Sequence, residues 1–427
     1  MRIAFLCLLT LLLSSCAKER PASIACNYVD HALLVPNDFR DIVPSSMMAT
    51  RALTARTSES VPRQSVSLPI DTVLRSAMQR GVARSLAPSE AAPRIAAADT
   101  NVLLMSGGGP WGAYGASFME SWQREAPSAY PEFALVTGVS TGALIAPFVV
   151  IDDLPGAVEA YSIAEETDLV ERRSFTALLG KLAILDKTPL SERIDAMFAP
   201  GAPDGRFSKL VTRLSAPDAP ALLLGVVSLD DSQFYAINVN TMVGDSSFSE
   251  EALYDCFKAS LLASAAVPIA FDPEFIDRNA YIDGGVRLSA FFLRLEEAML
   301  ASGGAGMNVF VLKNGRLPDA PEDTMPDMEG SKISSFDVAL GSVDTLVDQV
   351  SFNSIQHLLE RDDLAASQIF VAAANPREAD DDCEALTGGG NDLGQAFPPD
   401  FMACLIERGK KHWDDGFDEA FVFKRPN

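Results

Sequence analysis

Residues 135–148 read LVTGVSTGALIAPF, and at their centre stands Gly138-Val139-Ser140-Thr141-Gly142. With Phe133 and Ala134 in front, the first half is a short apolar run of the kind that makes a buried strand. The second half, continuing to Asp152, has the length and composition of a helix. A serine between two glycines at such a corner has two readings. It is a turn residue, or it is a nucleophile on the strained strand-to-helix elbow that G-x-S-x-G sequences build. The pattern by itself is common by chance. The strand before it and the helix after it favour the nucleophile.

A serine hydroxyl is a weak nucleophile near neutral pH. It needs a base within hydrogen-bond reach and donors for the oxyanion that forms on the substrate. Upstream, residues 105–116 read MSGGGPWGAYGA, with Gly107, Gly108 and Gly109 closing a short strand (100–106) and opening a helix (111–125). Such a turn aims backbone N–H groups at an anion. It is not a phosphate loop of the Walker type, because no Lys-Ser/Thr follows. Gly107, Gly109 and Gly112 fit the dinucleotide spacing, but no acidic residue closes a second strand about 20 residues on. With a nucleophile nearby, the turn reads better as an oxyanion hole. Downstream, YIDGGV (281–286) puts Asp283 at a strand end before Gly284 and Gly285. Alone, this aspartate is a turn residue. It becomes the candidate base because the other two parts require one.

Further apolar runs at 221–230, 232–240, 307–314 and 367–376 read as strands. The stretches 250–266, about 338–361 and 398–413 read as helices. This alternation predicts an α/β fold with a parallel sheet covered on both faces. Residues 153–200 are helical and irregular, and either line an acyl pocket or pack as core.

The three pieces, in this order, resemble the patatin-like phospholipase family. SGGGPWG matches that family's glycine-rich oxyanion segment, GVSTG its nucleophile elbow and DGG the aspartate of its Ser-Asp dyad. ASLLASAAVPIAF (259–271) is similar to the stretch that precedes the family's aspartate strand. The resemblance covers roughly residues 100–290. It implies a three-layer sandwich around a mostly parallel sheet and a lipid acyl hydrolase, a carboxylic ester hydrolase with a lipid or ester substrate. It also implies Ser140 as nucleophile, Asp283 as base and the N–H groups of Gly107, Gly108 and Gly109 as oxyanion donors. Many relatives carry Arg or Lys where this chain has Trp111, which puts preference for a phosphorylated head group in question. A neutral acylglycerol, a lysolipid or a simple ester is the alternative substrate.

Two rival readings stay open. One is an α/β-hydrolase with a Ser-Asp-His triad. It needs a histidine on a late loop, and the chain has three in all: His31 near the N-terminus, His357 expected on a helix surface and His412 expected as a partly exposed charge near a helix end. The other is a non-catalytic surface lipoprotein that retains the fold.

The net charge of −24 argues against a nucleic-acid partner, which rewards basic stripes. No Cys/His cluster predicts a metal, and the chemistry calls for no cofactor. Residues 1–15 have the early Arg, apolar run and small residues of a signal peptide, and Leu13-Ser14-Ser15-Cys16 resembles a bacterial lipobox. An ordinary signal peptide with an incidental cysteine is the alternative. A lipobox implies lipidation of Cys16, a membrane anchor and a place in the cell envelope, with Ala17 leaning towards the outer membrane. Residues 16–98, with ten basic and seven acidic residues, read as a tether. A small packed subdomain is the alternative. The acyl hydrolase domain is then 99–427. Export favours disulfides, and Cys383 with Cys404 is the expected pair, leaving Cys26 and Cys256.

Overall fold

The computed structural model describes residues 20–35, 100–173, 183–291, 307–317, 335–360, 367–376, 383–387, 395–414 and 416–425. The predicted signal segment, Cys16 and most of the 16–98 arm lie outside these residues, as does most of the glycine cluster at 386–394.

The strands are β1 (Ala32–Leu34), β2 (Asn101–Met105), β3 (Leu135–Val139), β4 (Glu171–Arg172), β5 (Leu185–Asp186), β6 (Ala221–Ser228), β7 (Phe234–Asn238), β8 (Glu274–Ile276), β9 (Asn279–Asp283), β10 (Asn308–Lys313), β11 (Gln368–Ala373) and β12 (Phe423–Arg425). Ten of them form one sheet in the order β1-β7-β6-β3-β2-β10-β11-β12, with the β8–β9 hairpin attached to β6. The central strands β6, β3, β2, β10 and β11 run parallel, and antiparallel β7 and β12 flank them.

Side chains on the central strands alternate between two apolar cores. Leu103, Met105, Val136, Leu222 and Leu224 enter one; Val102, Leu104, Leu135 and Leu223 enter the other. Burial on both faces is why these strands read as continuous apolar runs. The first face is covered by α2 (Gly112–Glu125), α3 (Thr141–Val150), α8 (Glu250–Ser264) and α10 (Pro399–Lys411). The second receives Ile355 and Leu358 from α9 (Ser335–Glu360). The result is the expected three-layer α/β sandwich with a mostly parallel sheet. Smaller helices complete the first face: α4 (Leu154–Tyr161), α5 (Thr188–Phe198), α6 (Arg206–Ser215) and α7 (Val239–Val243).

The expectation that residues 16–98 are all tether does not hold at their start. Residues 20–35 are built into the body. β1 pairs antiparallel with β7, Ile24 bridges Ile276, and Asp277 accepts the N–H groups of Cys26 and Tyr28 at 2.8 and 2.6 Å. A short helix α1 (Tyr28–His31) carries His31, which is buried and bonded to Thr241 and Asp245. A disulfide joins Cys26 to Cys256 on α8, and a second joins Cys383 to Cys404.

Candidate active site

The sheet register brings Ser140 and Asp283 together. β3 runs along β6 until Val139 faces Gly225. β9 comes from the opposite direction along the same edge of β6 and stops with Asp283 facing Val226. The last residue of β9 and the residue after β3 therefore meet end to end. In sequence they are far apart; along β6 they are neighbours.

Ser140 has φ 53° and ψ −123°, a left-handed backbone conformation that a non-glycine residue adopts only where its surroundings hold it. The surroundings are close. A Cβ at Gly138 would lie 2.4 Å from the carbonyl oxygen of Gly142, and a Cβ at Gly142 would lie 2.4 Å from that of Met105. Both glycines of the motif are thus required by contact. The Ser140 N–H donates to the Ser264 hydroxyl at 2.9 Å, and that hydroxyl donates to the Gly225 carbonyl at 2.7 Å. Ser264 is fully buried at the end of α8 and fastens the elbow to the β6 rail. Its removal leaves two buried polar groups unsatisfied. We expect Ser264→Ala to lower kcat about tenfold with KM little changed and to destabilise the fold by about 1–3 kcal/mol, read from steady-state kinetics and urea unfolding.

Asp283 is buried, and burial pushes its carboxyl up to about 7 against hydrogen bonds with the Ser140 hydroxyl and the Gly285 N–H, which favour the charged form. The Gly285 bond is 2.6 Å, so the Asp-Gly-Gly turn holds the carboxylate in place, and Gly284 fits against β6 at Gly225. A general base works best with a pKa near the operating pH.

The glycine turn after β2 lines the same cleft. Its three N–H groups are not equivalent. Gly107 donates to the Ser289 hydroxyl at 3.3 Å, whereas the N–H groups of Gly108 and Gly109 have no acceptor among the described residues. Gly107 serves by contact, since a Cβ there would lie 3.1 Å from that of Ser140. Gly112 opens α2 against Thr141 and Tyr161. Asn314, which follows β10, shapes the turn: it donates its backbone N–H to the Ser106 hydroxyl and its side-chain N–H to the Ser106 carbonyl. Its own carbonyl would sit 1.8 Å from a Cβ at Gly108. No motif marks Asn314 or Ser264, although Asn314 ends the apolar run 307–314 and Ser264 lies within the stretch 259–271.

Two cavities meet at Ser140. One is narrow, about 80 Å³, and its walls are almost wholly apolar, including Leu144, Phe148, Leu190, Ile194, Met197 and Phe198. Residues of 153–200 thus line a pocket at Ser140. The other is a wide, more polar cleft of about 630 Å³ that holds Asp283, Gly107–Gly109 and Trp111. Gly109, Ser140, Val267, Phe271 and Phe397 belong to both. The cleft opens between the C-terminal ends of β2 and β10, where the chain order in the sheet reverses, the usual place for a ligand in open α/β sheets.

The histidines lie elsewhere. His412 is buried rather than partly exposed; its Nδ1 meets the Tyr114 hydroxyl at 3.0 Å and its Nε2 the Asn375 carbonyl at 3.1 Å. His357 lies exposed on α9.

A mostly parallel sheet thus carries a strained serine and a buried carboxylate side by side at the C-terminal ends of its strands. Residues 103–294 match the family described as Patatin-like phospholipase, and the chain carries a patatin-like domain over that span. The match supports lipid acyl hydrolysis as the general activity. Among solved structures, VipD from Legionella pneumophila aligns over 75% of this chain and 68% of its own, at 11% identity and a TM-score of 0.31, too distant a likeness to carry an argument. No curated protein matches the sequence significantly.

Proposed function

We propose that the protein hydrolyses carboxylic esters of lipids with Ser140 as nucleophile and Asp283 as base. The observation that carries this is the placement of a strained serine beside a buried carboxylate where an apolar cavity meets a polar cleft. Asp283 takes the Ser140 proton as the hydroxyl oxygen attacks the ester carbonyl. The tetrahedral oxyanion is held by the N–H groups of Gly108 and Gly109, donors of a kind worth about 3–4 kcal/mol each. Collapse expels the alcohol, which takes the proton from Asp283. Water then gives a proton to Asp283 and attacks the acyl carbon, and Ser140 leaves reprotonated. The acyl chain occupies the apolar cavity and the alcohol side the wide cleft. A panel of lipid and simple esters tests this, with Ser140→Ala as control: hydrolysis by the wild type and none by the variant is expected, and equal rates overturn it.

The base must be ionised to work. With Asp283 near 7, log(kcat/KM) should rise with unit slope below about pH 7 and level off above it. A profile already flat from pH 5 upwards contradicts a buried aspartate base. The sign for stability is opposite. A carboxyl raised in the folded state stabilises the fold when protonated, so its contribution is present below about pH 4 and lost as the pH rises through 7.

We also propose that the protein is anchored in a bacterial envelope membrane by lipid on Cys16. The lipobox-like LSSC supports this reading. Incorporation of labelled palmitate that survives Cys16→Ser contradicts it.

A further inference from the structure

We propose that the apolar cavity is a blind tube closed by the Phe148–Phe198 pair, and that this pair limits the acyl group to about ten carbons or fewer. This rests on the acyl hydrolase reading and names the class of acyl chain it takes.

The cavity runs along α3. Ser140 caps that helix, and Leu144 and Phe148 follow at i+4 and i+8, so all three share one side of it. At about 1.5 Å of rise per residue, Phe148 lies about 12 Å along the axis from Ser140. Helical side chains lean toward the N-terminus, which brings the ring somewhat nearer. The opposite wall is α5, where Leu190, Ile194 and Phe198 repeat the same spacing. Burial deepens along both stripes. Leu144 and Leu190 are half-buried, whereas Phe148 and Phe198 are each 2% exposed. The open end is therefore at Ser140 and the closed end at the two phenylalanines.

The two rings meet at 4.8 Å between centroids, tilted by 60°. Behind them, Phe257 of α8 packs on Phe198 at 5.6 Å, and the Arg206 guanidinium stands 5.7 Å over the Phe148 ring. Neither Phe257 nor Arg206 lines the cavity, so the pair forms its end wall. Arg206 is itself held by Asp153 and Glu159, which backs the wall from outside. No charged group stops a chain before that wall. Arg193, the charged residue in the lining, spends its guanidinium on the carbonyls of Glu159, Ala160 and Ser162. An extended chain advances about 3.6 Å per three bonds, so a tube of about 12 Å ends at about the tenth carbon. The small volume, about 80 Å³, agrees with a single short chain. Each CH2 that enters should strengthen binding about fourfold until the wall is met. The next one must displace a ring from a packed core.

The test is a series of p-nitrophenyl esters from acetate to palmitate, with one alcohol throughout. For the wild type, kcat/KM should climb by up to about fourfold per carbon, peak at or before about ten carbons, and be about tenfold or more below the peak at palmitate. Leu144→Phe fills the tube one turn from Ser140, about 6 Å along α3, and should bring the peak down to about five carbons. Phe148→Ala removes half of the end wall and should carry the peak out by several carbons. Phe148→Leu should move it the same way by less, and serves where the alanine variant does not fold. In a binding arm, Ser140→Ala protein titrated with straight-chain alcohols from butanol to dodecanol should gain affinity only up to the same length, and Leu144→Phe should shorten that length. A wild-type rate that holds or rises from decanoate to palmitate overturns the proposal. So does a peak that stays in place in folded Leu144→Phe and Phe148→Leu. If the wild type cleaves no ester of the series, the acyl hydrolase reading fails, and the binding arm still decides where the tube ends.

Discussion

Asp283→Asn should lower kcat on any cleaved ester by about four orders of magnitude, the cost of disabling the base of a serine hydrolase, and Ser140→Ala by about six. The first number depends on the fold surviving, and the geometry says that it will. Asparagine keeps the shape and can still accept the Gly285 N–H. It also removes a buried charge. Because burial raises the Asp283 pKa to about 7, the ionised wild type carries a stability cost at pH 8 that the variant lacks. Asp283→Asn should therefore melt at the same temperature or higher at pH 8, with the gap closing near pH 4. Loss of activity together with higher stability separates a catalytic role from a structural one. His357→Ala should leave kcat within about twofold, as expected of an exposed surface position. His412 is buried between Tyr114 and Asn375, so His412→Gln should cost stability first. A refolded His412→Gln protein that has lost all turnover would restore the triad reading.

The second large effect is on stability. The Cys26–Cys256 bridge closes a separation of 230 residues, against 21 for Cys383–Cys404. On the chain-entropy account, the longer loop is worth about 5.5 kcal/mol, at the top of the usual range, and the shorter about 3.3. Replacing Cys26 and Cys256 by serine should therefore lower the unfolding free energy more than replacing the other pair, measured by guanidinium titration at fixed pH. The bridge also ties the N-terminal segment to α8, whose far end carries Ser264, the acceptor of the Ser140 N–H. A loss under about 1 kcal/mol for the Cys26 and Cys256 double variant would mean that β1 and the Asp277 contacts hold the segment alone.

The elbow, the glycine turn and the Asp-Gly-Gly end were legible because each is a local pattern: a sharp turn forces glycine at fixed offsets, and the apolar runs of a doubly covered sheet mark its strands. What brings them together is a register along β6, and no local pattern encodes a register. Ser264 was missed for the same reason. It lies within a stretch already singled out, but its partner is 124 residues away. Residues 24–35 vanished into the composition of the long arm around them, although Cys26, Tyr28, Leu33 and Val35 are core residues. A local pattern shows the Gly107 N–H and not the Ser289 hydroxyl, 182 residues away, that accepts it.

The dyad is the central claim, and peptide mapping after fluorophosphonate labelling tests it most directly. The account predicts one adduct, on the peptide containing Ser140. It predicts that labelling persists in a folded His412→Gln protein and slows by orders of magnitude in Asp283→Asn. Labelling of Ser140 that is indifferent to Asp283 and abolished with His412 would contradict it.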